Sequence, residues 1–315
     1  MSTTEQVLPA EQPSALRRFL AFVTDLVIIG VPAGAVGALL FDPLSDLGDY
    51  GRLIGAVLIA LYFGYFDSRL GGGTSPGKGA VGLEVVGTTG ASISPARAAA
   101  RALIVSTPIL VPSPVGDNVV LQAIAGLLIY ALGLSVAYLA ILNRPSRRSV
   151  HDLATASMVV CRGARLAPLL PMRRVHWAIV AILAVWAVAD PVLSFEADDP
   201  SDGVDETASV RRRVESLPEA RSAKVTQDGR SKEVVAAVRF RHRLTDKTAA
   251  ANAVAAAIYR GPKKPIAGAP VTVVLVRGFK LGVANIEVRE KCRVAFAGHQ
   301  SDCGRGYAIE LGGAQ

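Results

Sequence analysis

The sequence predicts an α-helical membrane domain of five spans, followed by a small two-layer α+β domain outside the cytoplasm. The 315 residues are 51% hydrophobic and only 19% charged, with a mean hydropathy of +0.38. The apolar runs are confined to residues 1–194, which hold 14 of the 34 basic residues, whereas residues 195–315 hold 20. This composition excludes a disordered chain and disfavours a soluble enzyme. The net charge of +8 is carried mainly by loops and by the C-terminal part.

Five apolar segments are the predicted spans, because a bilayer core about 30 Å thick takes about 20 helical residues. The first carries a single charge, Asp25, and the third is short and contains prolines 108, 112 and 114. The spans are residues 19–41, 50–66, 98–115, 119–142 and 175–195. The polar residues 1–15 do not resemble a signal peptide, so the first span is predicted to stay as an anchor.

The charges of the loops predict the topology. Segments 42–49 and 112–118 have acidic residues and no Lys or Arg, whereas segments 67–101 and 143–174 are rich in Lys and Arg. Basic residues near span ends favour the cytoplasmic side. Five spans with a cytoplasmic N-terminus place 13 of the 14 basic residues of the first part inside. We therefore predict a plasma-membrane protein with a cytoplasmic tail (1–15), a membrane domain (16–162) and a cytoplasmic linker (163–174) before the fifth span.

The remaining chain predicts an acidic linker, 196–205, and a domain, 206–315, on the extracytoplasmic side. Apolar alternation and helix caps give the order α-β-β-α-β-β. Cys292 and Cys303 lie across a loop rich in Gly and polar residues, and an oxidising compartment allows a disulfide there. Two free thiols are the alternative. A metal site with His299 lacks a visible fourth ligand, so no metal is predicted. The helices are predicted at 206–217 and 246–259, and the strands at 222–228, 233–243, 271–277 and 283–289.

Two charged residues of the first span stand out. Arg18 and Asp25 are two helical turns apart, on one face and about 10 Å apart along the axis. A carboxylate at hydrocarbon depth must be paired, protonated or hydrated. Two interpretations stay open, a proton or cation site and a polar clasp between helices. Since the available basic partners lie in cytoplasmic segments, the pairing is expected near that face.

Other motifs have plainer interpretations. The segment Gly71 to Lys78, GGGTSPGK, approaches a phosphate loop, but Gly79 stands where a hydroxyl would bind Mg²⁺, so nucleotide binding is not predicted. Asp67 and Arg69 are predicted to form an interfacial ion pair. We find no catalytic constellation, no cofactor site and no nucleic-acid site. Three arginines are candidates for contact with anionic lipid headgroups, with a purely topogenic role as the alternative: Arg144, Arg147 and Arg148.

Three blocks of the sequence together resemble the RDD family of membrane proteins, which is named for one arginine and two aspartates. The first block runs from Arg17 to Asp25, RRFLAFVTD, and the second from Gly73 to Val86, GTSPGKGAVGLEVV. The third is His151-Asp152 followed by Val159-Val160. The resemblance covers about residues 14–162. It marks Arg18, Asp25 and Asp152 as the name-giving residues, with Lys78 and His151 inside the matching motifs.

Some residues depart from the family pattern. Ser75 stands where the family usually has Thr, and Glu84 where a basic residue is common. Ala156-Ser157 replace a Gly-Thr pair. The fifth span and the C-terminal domain lie outside the resemblance.

The resemblance implies transport, because transport is suggested for the family and some members look like cation/proton antiporters. We predict an accessory subunit of a cell-envelope transport or assembly complex, with the lipid bilayer and other membrane or envelope proteins as partners. The alternative is a stand-alone transporter or cation/proton antiporter that uses Asp25. The Ala- and Arg-rich usage resembles high-GC actinobacteria, whose Mce lipid-import systems contain accessory proteins that look like RDD proteins with an added outer domain.

Overall fold

The chain divides into two compact units. The computed structural model describes residues 13–112, 119–143, 147–164, 172–197, 204–227, 233–260, 271–294, 301–303 and 308–311. The membrane unit comprises Met1–Ala33, Arg52–Phe195 and Leu281–Val283. The β-rich unit comprises Gly34–Gly51, Glu196–Lys280 and Ala284–Gln315. Residues 34–51, at the end of the first predicted span and in the first predicted loop, therefore belong with the C-terminal part.

Helices account for most of the first 197 residues. Three segments are long and apolar enough to cross a membrane: Ala15–Leu39, Phe41–Phe66 and Val120–Leu142. The predicted span 98–115 is helical only as far as Leu110, and its residues 113–115 lie outside the described residues. The predicted span 175–195 lies in a helix whose apolar stretch is shorter, so five spans stay a prediction. The helices are α1 (Ala15–Leu39), α2 (Phe41–Leu47), α3 (Gly51–Phe66), α4 (Pro76–Ala80), α5 (Pro95–Leu110), α6 (Val119–Gly126), α7 (Leu132–Leu142), α8 (Val150–Ala154) and α9 (Arg174–Ala197), with a π-helical turn at Leu127–Ala131.

Large apolar side chains are exposed along these helices. Val27 and Val31 on α1, Leu61 on α3 and Trp177 on α9 are each more than half exposed. Such surfaces are costly in water but suit a hydrocarbon environment, which agrees with helices that lie in a membrane.

A two-stranded antiparallel sheet joins the second and third sequence blocks. Strand β1 (Leu83–Gly87) pairs with β2 (Ser157–Cys161), with Val85 opposite Val159. Ala21 of α1 packs against the buried side chains of this sheet. The three motif blocks, distant in sequence, therefore meet around one small core. Its buried members are Ala21, Leu83, Val85, Ile93, Ala98 and Val159.

The β-rich unit contains the predicted order α-β-β-α-β-β and extends it by two short strands. Its sheet has the order β3-β4-β5-β6-β7, with β8 also paired to β6, and β4 and β5 run parallel. The bounds are α10 (Val204–Glu215), β3 (Ala220–Gln227), β4 (Val234–Phe240), α11 (Lys247–Tyr259), β5 (Val271–Lys280), β6 (Asn285–Val294), β7 (Ser301–Cys303) and β8 (Ala308–Leu311).

Two helices cover one face of this sheet. Strand β4 alternates buried and half-buried residues, as expected for a strand with one core face. Val214 of α10 and Ile258 of α11 are buried against that face together with Val238 of β4. The predicted disulfide between Cys292 and Cys303 is present and joins β6 to β7, where the two residues are directly paired.

Candidate functional site

Six charged side chains of the membrane unit form one buried chain in which cations and carboxylates alternate. We call this set the charge ladder. Asp25 and Asp152 are fully buried, Asp67 is 1% exposed, and the side chain of Arg18 is 11% exposed. Three positive charges thus face three negative charges in a region largely closed to water. In spatial order its members are Arg18, Asp152, Arg101, Asp67, Lys78 and Asp25.

At one end of the charge ladder, protein donors occupy both carboxylate oxygens of Asp25. Oδ1 accepts from the Tyr62 hydroxyl and from the Gly77 backbone N–H, each at 2.8 Å. Oδ2 accepts from the Ser75 hydroxyl at 2.6 Å, and the Lys78 ammonium lies 3.7 Å away. This geometry is that of a clasp between α1, α3 and the segment around α4.

The segment that approaches a phosphate loop in sequence therefore holds a carboxylate of the chain itself. Pro76 begins α4, and the Gly77 N–H at this helix start points to Asp25. A Cβ on Gly77 would collide with the Ala21 carbonyl oxygen and would lie 2.8 Å from Asp25 Oδ1. Glycine is needed here because the loop backbone packs directly on α1.

In the middle of the charge ladder, Asp67 bridges two cations. Its Oδ2 accepts from Lys78 Nζ at 2.9 Å and from Arg101 Nη1 at 3.4 Å. The Lys78 ammonium also lies 4.6 Å from the centre of the Phe63 ring. Asp67 Oδ1 has no hydrogen-bond partner among the described residues. The predicted Asp67–Arg69 pair is wrong, since Arg69 is exposed and Asp67 is buried with other partners.

At the other end, Asp152 is held by the start of α8 and by two arginines. Arg101 places Nε and Nη2 3.0 Å from Oδ1. The Ser149 backbone N–H donates to Oδ2 at 3.2 Å within a capping box, and Arg18 Nη1 lies 3.7 Å from Oδ2. Arg18 also donates to the Val159 carbonyl at 3.0 Å. Arg18 therefore pairs with Asp152, whereas Asp25, on the same helix, pairs with Lys78.

His151 is a buried neutral side chain beside the charge ladder. Its Nε2 lies 3.3 Å from Arg101 Nη2, and because arginine only donates, Nε2 must accept. The ring proton then lies on Nδ1, 2.8 Å from the Ser149 hydroxyl oxygen. Burial lowers the pKa of His151 to about 3, against the opposing effect of Asp152 and with help from Arg101. Burial opposes ionisation of Asp152, but His151, which is protonated in the acid range where Asp152 titrates, and the two arginines lower the pKa of Asp152 below its ordinary value.

These shifts predict that the membrane unit loses stability in acid. The unfolded chain protonates histidine near pH 6.5, whereas folded His151 resists until about pH 3. Between these two pH values the unfolded state binds more protons than the folded state. The free energy of unfolding therefore decreases as the pH is lowered, by up to about 1.4 kcal/mol per pH unit. Asp152, whose pKa is also lowered, contributes to the same loss of stability at lower pH. His151→Gln is expected to flatten the decline of the melting temperature between about pH 6.5 and 4 in detergent.

The control for this pH series is His242→Gln, because the His242 side chain is 72% exposed in the β-rich unit. That variant should melt with the same pH dependence as the parent chain. An equally steep decline in the His151 variant would contradict a neutral buried His151.

The structure describes two of the three arginines that are candidates for contact with lipid headgroups. Arg144 lies outside the described residues. Arg147 Nη1 donates to the Pro13 carbonyl at 3.2 Å, and Arg148 Nε donates to the Ser157 carbonyl at 3.2 Å. The two described guanidinium groups therefore hold backbone segments together, and contact with lipid headgroups stays a prediction.

The segment that contains the charge ladder is similar to a known family. Residues 12–156 match the RDD family model. This RDD segment contains all six members of the charge ladder, and the resemblance expected over residues 14–162 is confirmed over nearly the same range. No curated protein and no solved structure matches the chain significantly.

Sequence analysis missed Arg101 as a member of the site. In the RDD segment it is the cation between two carboxylates and the partner of His151. One signal was present, since Arg101 stands among alanines on the buried face of α5, beside Ala98 and Ala102. A single arginine on a face of small residues indicates a partner that approaches closely.

Proposed function

We propose that the chain is an accessory subunit of a cell-envelope transport or assembly complex. In this proposal the RDD segment is a rigid membrane anchor and the β-rich unit binds the partner proteins. The observation that carries it is the saturation of Asp25, whose two oxygens accept from Tyr62, Ser75 and Gly77. A carrier needs a carboxylate that can exchange its partners, whereas this one is closed by the fold.

The β-rich unit offers a place for a partner. Strand β3 is at one end of the sheet order, and a bulge between Ala220 and Ser222 interrupts its pairing. Edge strands can pair with a strand of another protein. The resemblance to Mce-associated proteins implies a lipid-import system, and we propose such a system as the first candidate for this complex.

The same proposal includes five spans, because α5 has contacts near both ends of α3. Arg101 of α5 reaches Asp67, just after the last residue of α3. Arg52, in the first turn of α3, donates to the Ile109 and Val111 carbonyls, each at 2.9 Å. A helix that lies beside both ends of a spanning helix is expected to cross with it. A crossing α5 supports the proposed number of five spans.

A second contact supports the placement of the β-rich unit. Within that unit, Arg277 Nη1 of β5 donates to Asp42 Oδ1 of α2 at 2.8 Å. The segment after α1 that contains α2, together with the C-terminal strands, then lies on one side of the membrane, which we propose is the extracytoplasmic side.

Single-cysteine labelling tests this topology in a Cys161→Ser background. Thr89 and Ser216 are both exposed, and each is replaced by Cys in turn. An impermeant maleimide should label intact cells at position 216 and should label position 89 only after the membrane is opened. Labelling of both positions in intact cells, or of neither position until the membrane is opened, would contradict five spans.

The subunit role is tested by affinity purification of the tagged full chain from its native membranes in a mild detergent. A stoichiometric complex, larger than the chain alone on a native gel, is expected, and mass spectrometry of its members would name the pathway. An unrelated membrane protein with the same tag and similar abundance is the control. A solitary chain under these conditions would contradict the proposal.

The alternative, a cation/proton antiporter, is favoured by the buried carboxylates, and Asp25→Asn separates the two functions. In the clasp, the substitution would remove the negative charge beside Lys78 and turn an amide NH₂ toward the Gly77 N–H or the Lys78 ammonium, neither of which can accept a hydrogen bond. This should lower the free energy of unfolding by about 2 kcal/mol. A transporter that uses Asp25 would instead stay folded and lose its flux. Melting in detergent and cation-driven proton flux in proteoliposomes measure the two quantities.

Asp49→Asn is the matched control, because this carboxylate is exposed. It should change neither quantity. Cation-driven flux in the parent chain that a stable Asp25→Asn protein lacks would replace the subunit proposal by the antiporter.

A further inference from the structure

A pocket in the membrane unit lies apart from the charge ladder and from the proposed partner surface. Its volume is about 690 Å³, and six of its lining positions are Gly or Ala, which leaves the space open. Four hydroxyl side chains and one arginine also line it. We call it the hydroxyl pocket, and its polar members are Thr88, Thr89, Ser92, Arg97 and Thr155.

The guanidinium of Arg97 is fixed in this pocket by backbone carbonyls. Its Nε and Nη2 donate to the Thr155 carbonyl at 3.1 and 2.6 Å, and Nη2 also donates to the Ala156 carbonyl at 2.8 Å. Nη1 makes no hydrogen bond to any described residue. The side chain is thus oriented before any ligand arrives, and no carboxylate in the described part of the chain pairs with its charge. Preorganised donors of this kind favour binding.

The charge and donor set of the hydroxyl pocket select an anion. No Asp or Glu is among its described lining residues, and hydroxyls together with a guanidinium are the donors that phosphate oxygens accept. The pocket also includes Ala96 in the first turn of α5, a helix of 16 residues, whose positive end adds to the attraction. The pocket is open to solvent, since Thr89, Ser92 and Arg97 are exposed, and its volume exceeds what a bare phosphate needs.

We propose that the hydroxyl pocket binds a phosphate group carried by a larger polar molecule. The two sources with this chemistry are an anionic phospholipid headgroup and a soluble phosphate ester. Arg97 Nη1 and the hydroxyls of Thr89 and Ser92 contact the phosphate oxygens. The proposal does not depend on the subunit function, because its residues lie outside the charge ladder and outside the β-rich unit.

Two substitutions of the exposed Ala96 test this site with opposite predictions for stability and binding. Ala96→Glu places a carboxylate in the first turn of α5, where it stabilises the helix but repels a phosphate. Ala96→Gln has the same size without the charge. Because Ala96 lines the pocket, the two variants are compared with each other: we expect Ala96→Glu to bind at least tenfold more weakly than Ala96→Gln while it stays folded.

The probes separate the two sources. Native mass spectrometry of the full chain in detergent counts retained phosphatidylglycerol against phosphatidylcholine, and calorimetry measures glycerol 3-phosphate. A Glu-specific loss of phosphatidylglycerol alone assigns the site to a lipid headgroup, and a Glu-specific loss of glycerol 3-phosphate assigns it to a soluble ester. Equal binding of both probes to the Glu and Gln variants, or no binding to the parent chain, overturns the proposal.

Discussion

Replacement of Arg101 by Met is expected to unfold the RDD segment. The guanidinium lies between Asp67 and Asp152 and contacts His151. Its removal leaves two carboxylates in a buried region with too little positive charge. The loss of one partner from a buried ion pair typically costs about 3–5 kcal/mol, which is a large part of the stability of a domain. The melting temperature of the purified chain in detergent, and its yield as a monodisperse species, measure the effect.

The matched control for this substitution is Arg69→Met, in the same basic segment but with an exposed side chain. That variant should melt within a few degrees of the parent. Arg101→Lys should be intermediate, since one ammonium cannot contact two carboxylates in the same way as a planar guanidinium. If Arg101→Met melts like Arg69→Met, the charge ladder does not stabilise the membrane unit.

Gly77→Ala is expected to separate α4 from α1. The added Cβ would meet the Ala21 carbonyl oxygen and the Asp25 carboxylate, and neither can move without breaking other hydrogen bonds. Overpacking and the loss of the Gly77 N–H bond to Asp25 together should lower the free energy of unfolding by about 3 kcal/mol. Thermal melting in detergent detects a loss of this size.

Gly79→Ala tests whether the effect is local to the clasp. It changes the same residue type in the same short helix, but its Cβ would meet only the Thr74 Cγ2 atom, at 3.3 Å. Since this methyl group can turn away, we expect a small change. Equal destabilisation by both substitutions would mean that alanine is unfavourable throughout this helix and that close packing on Asp25 is unimportant.

The burial of Asp25 and the region of its partner follow from the sequence. A carboxylate within an apolar run must be compensated, and the basic residues on offer lie in segments such as 67–101, which contain its observed partner Lys78. The alternation in β4 was likewise visible in the sequence. The sequence also offered two caps for α11, Thr245 and Asp246, of which Asp246 is the observed one. These features are local or depend on a single strong physical constraint.

The rest of the site depends on which helices become neighbours. Arg18 and Asp25 share a helix face, and the sequence does not show that each takes its partner from a different segment, Asp152 and Lys78. Arg101 lies in a basic stretch where arginines have an adequate topogenic explanation. Such pairings follow from the packing of α1, α3 and α5, which hydrophobic periodicity leaves undetermined.

The charge ladder also has a consequence for how the chain is made. The ribosome synthesises α1 first, but Arg18 of this helix can pair with Asp152 only after almost the whole RDD segment has been made. Asp25 and Asp67 lack their counter-charges for a shorter time, until Lys78 and Arg101 have been made, because both of these residues precede Asp152. Insertion of the early helices is therefore provisional, and the bundle closes late, when α8 emerges. A nascent chain stalled before residue 150 should be recognised by membrane quality control as unfinished, whereas one stalled after β2 should already be protected.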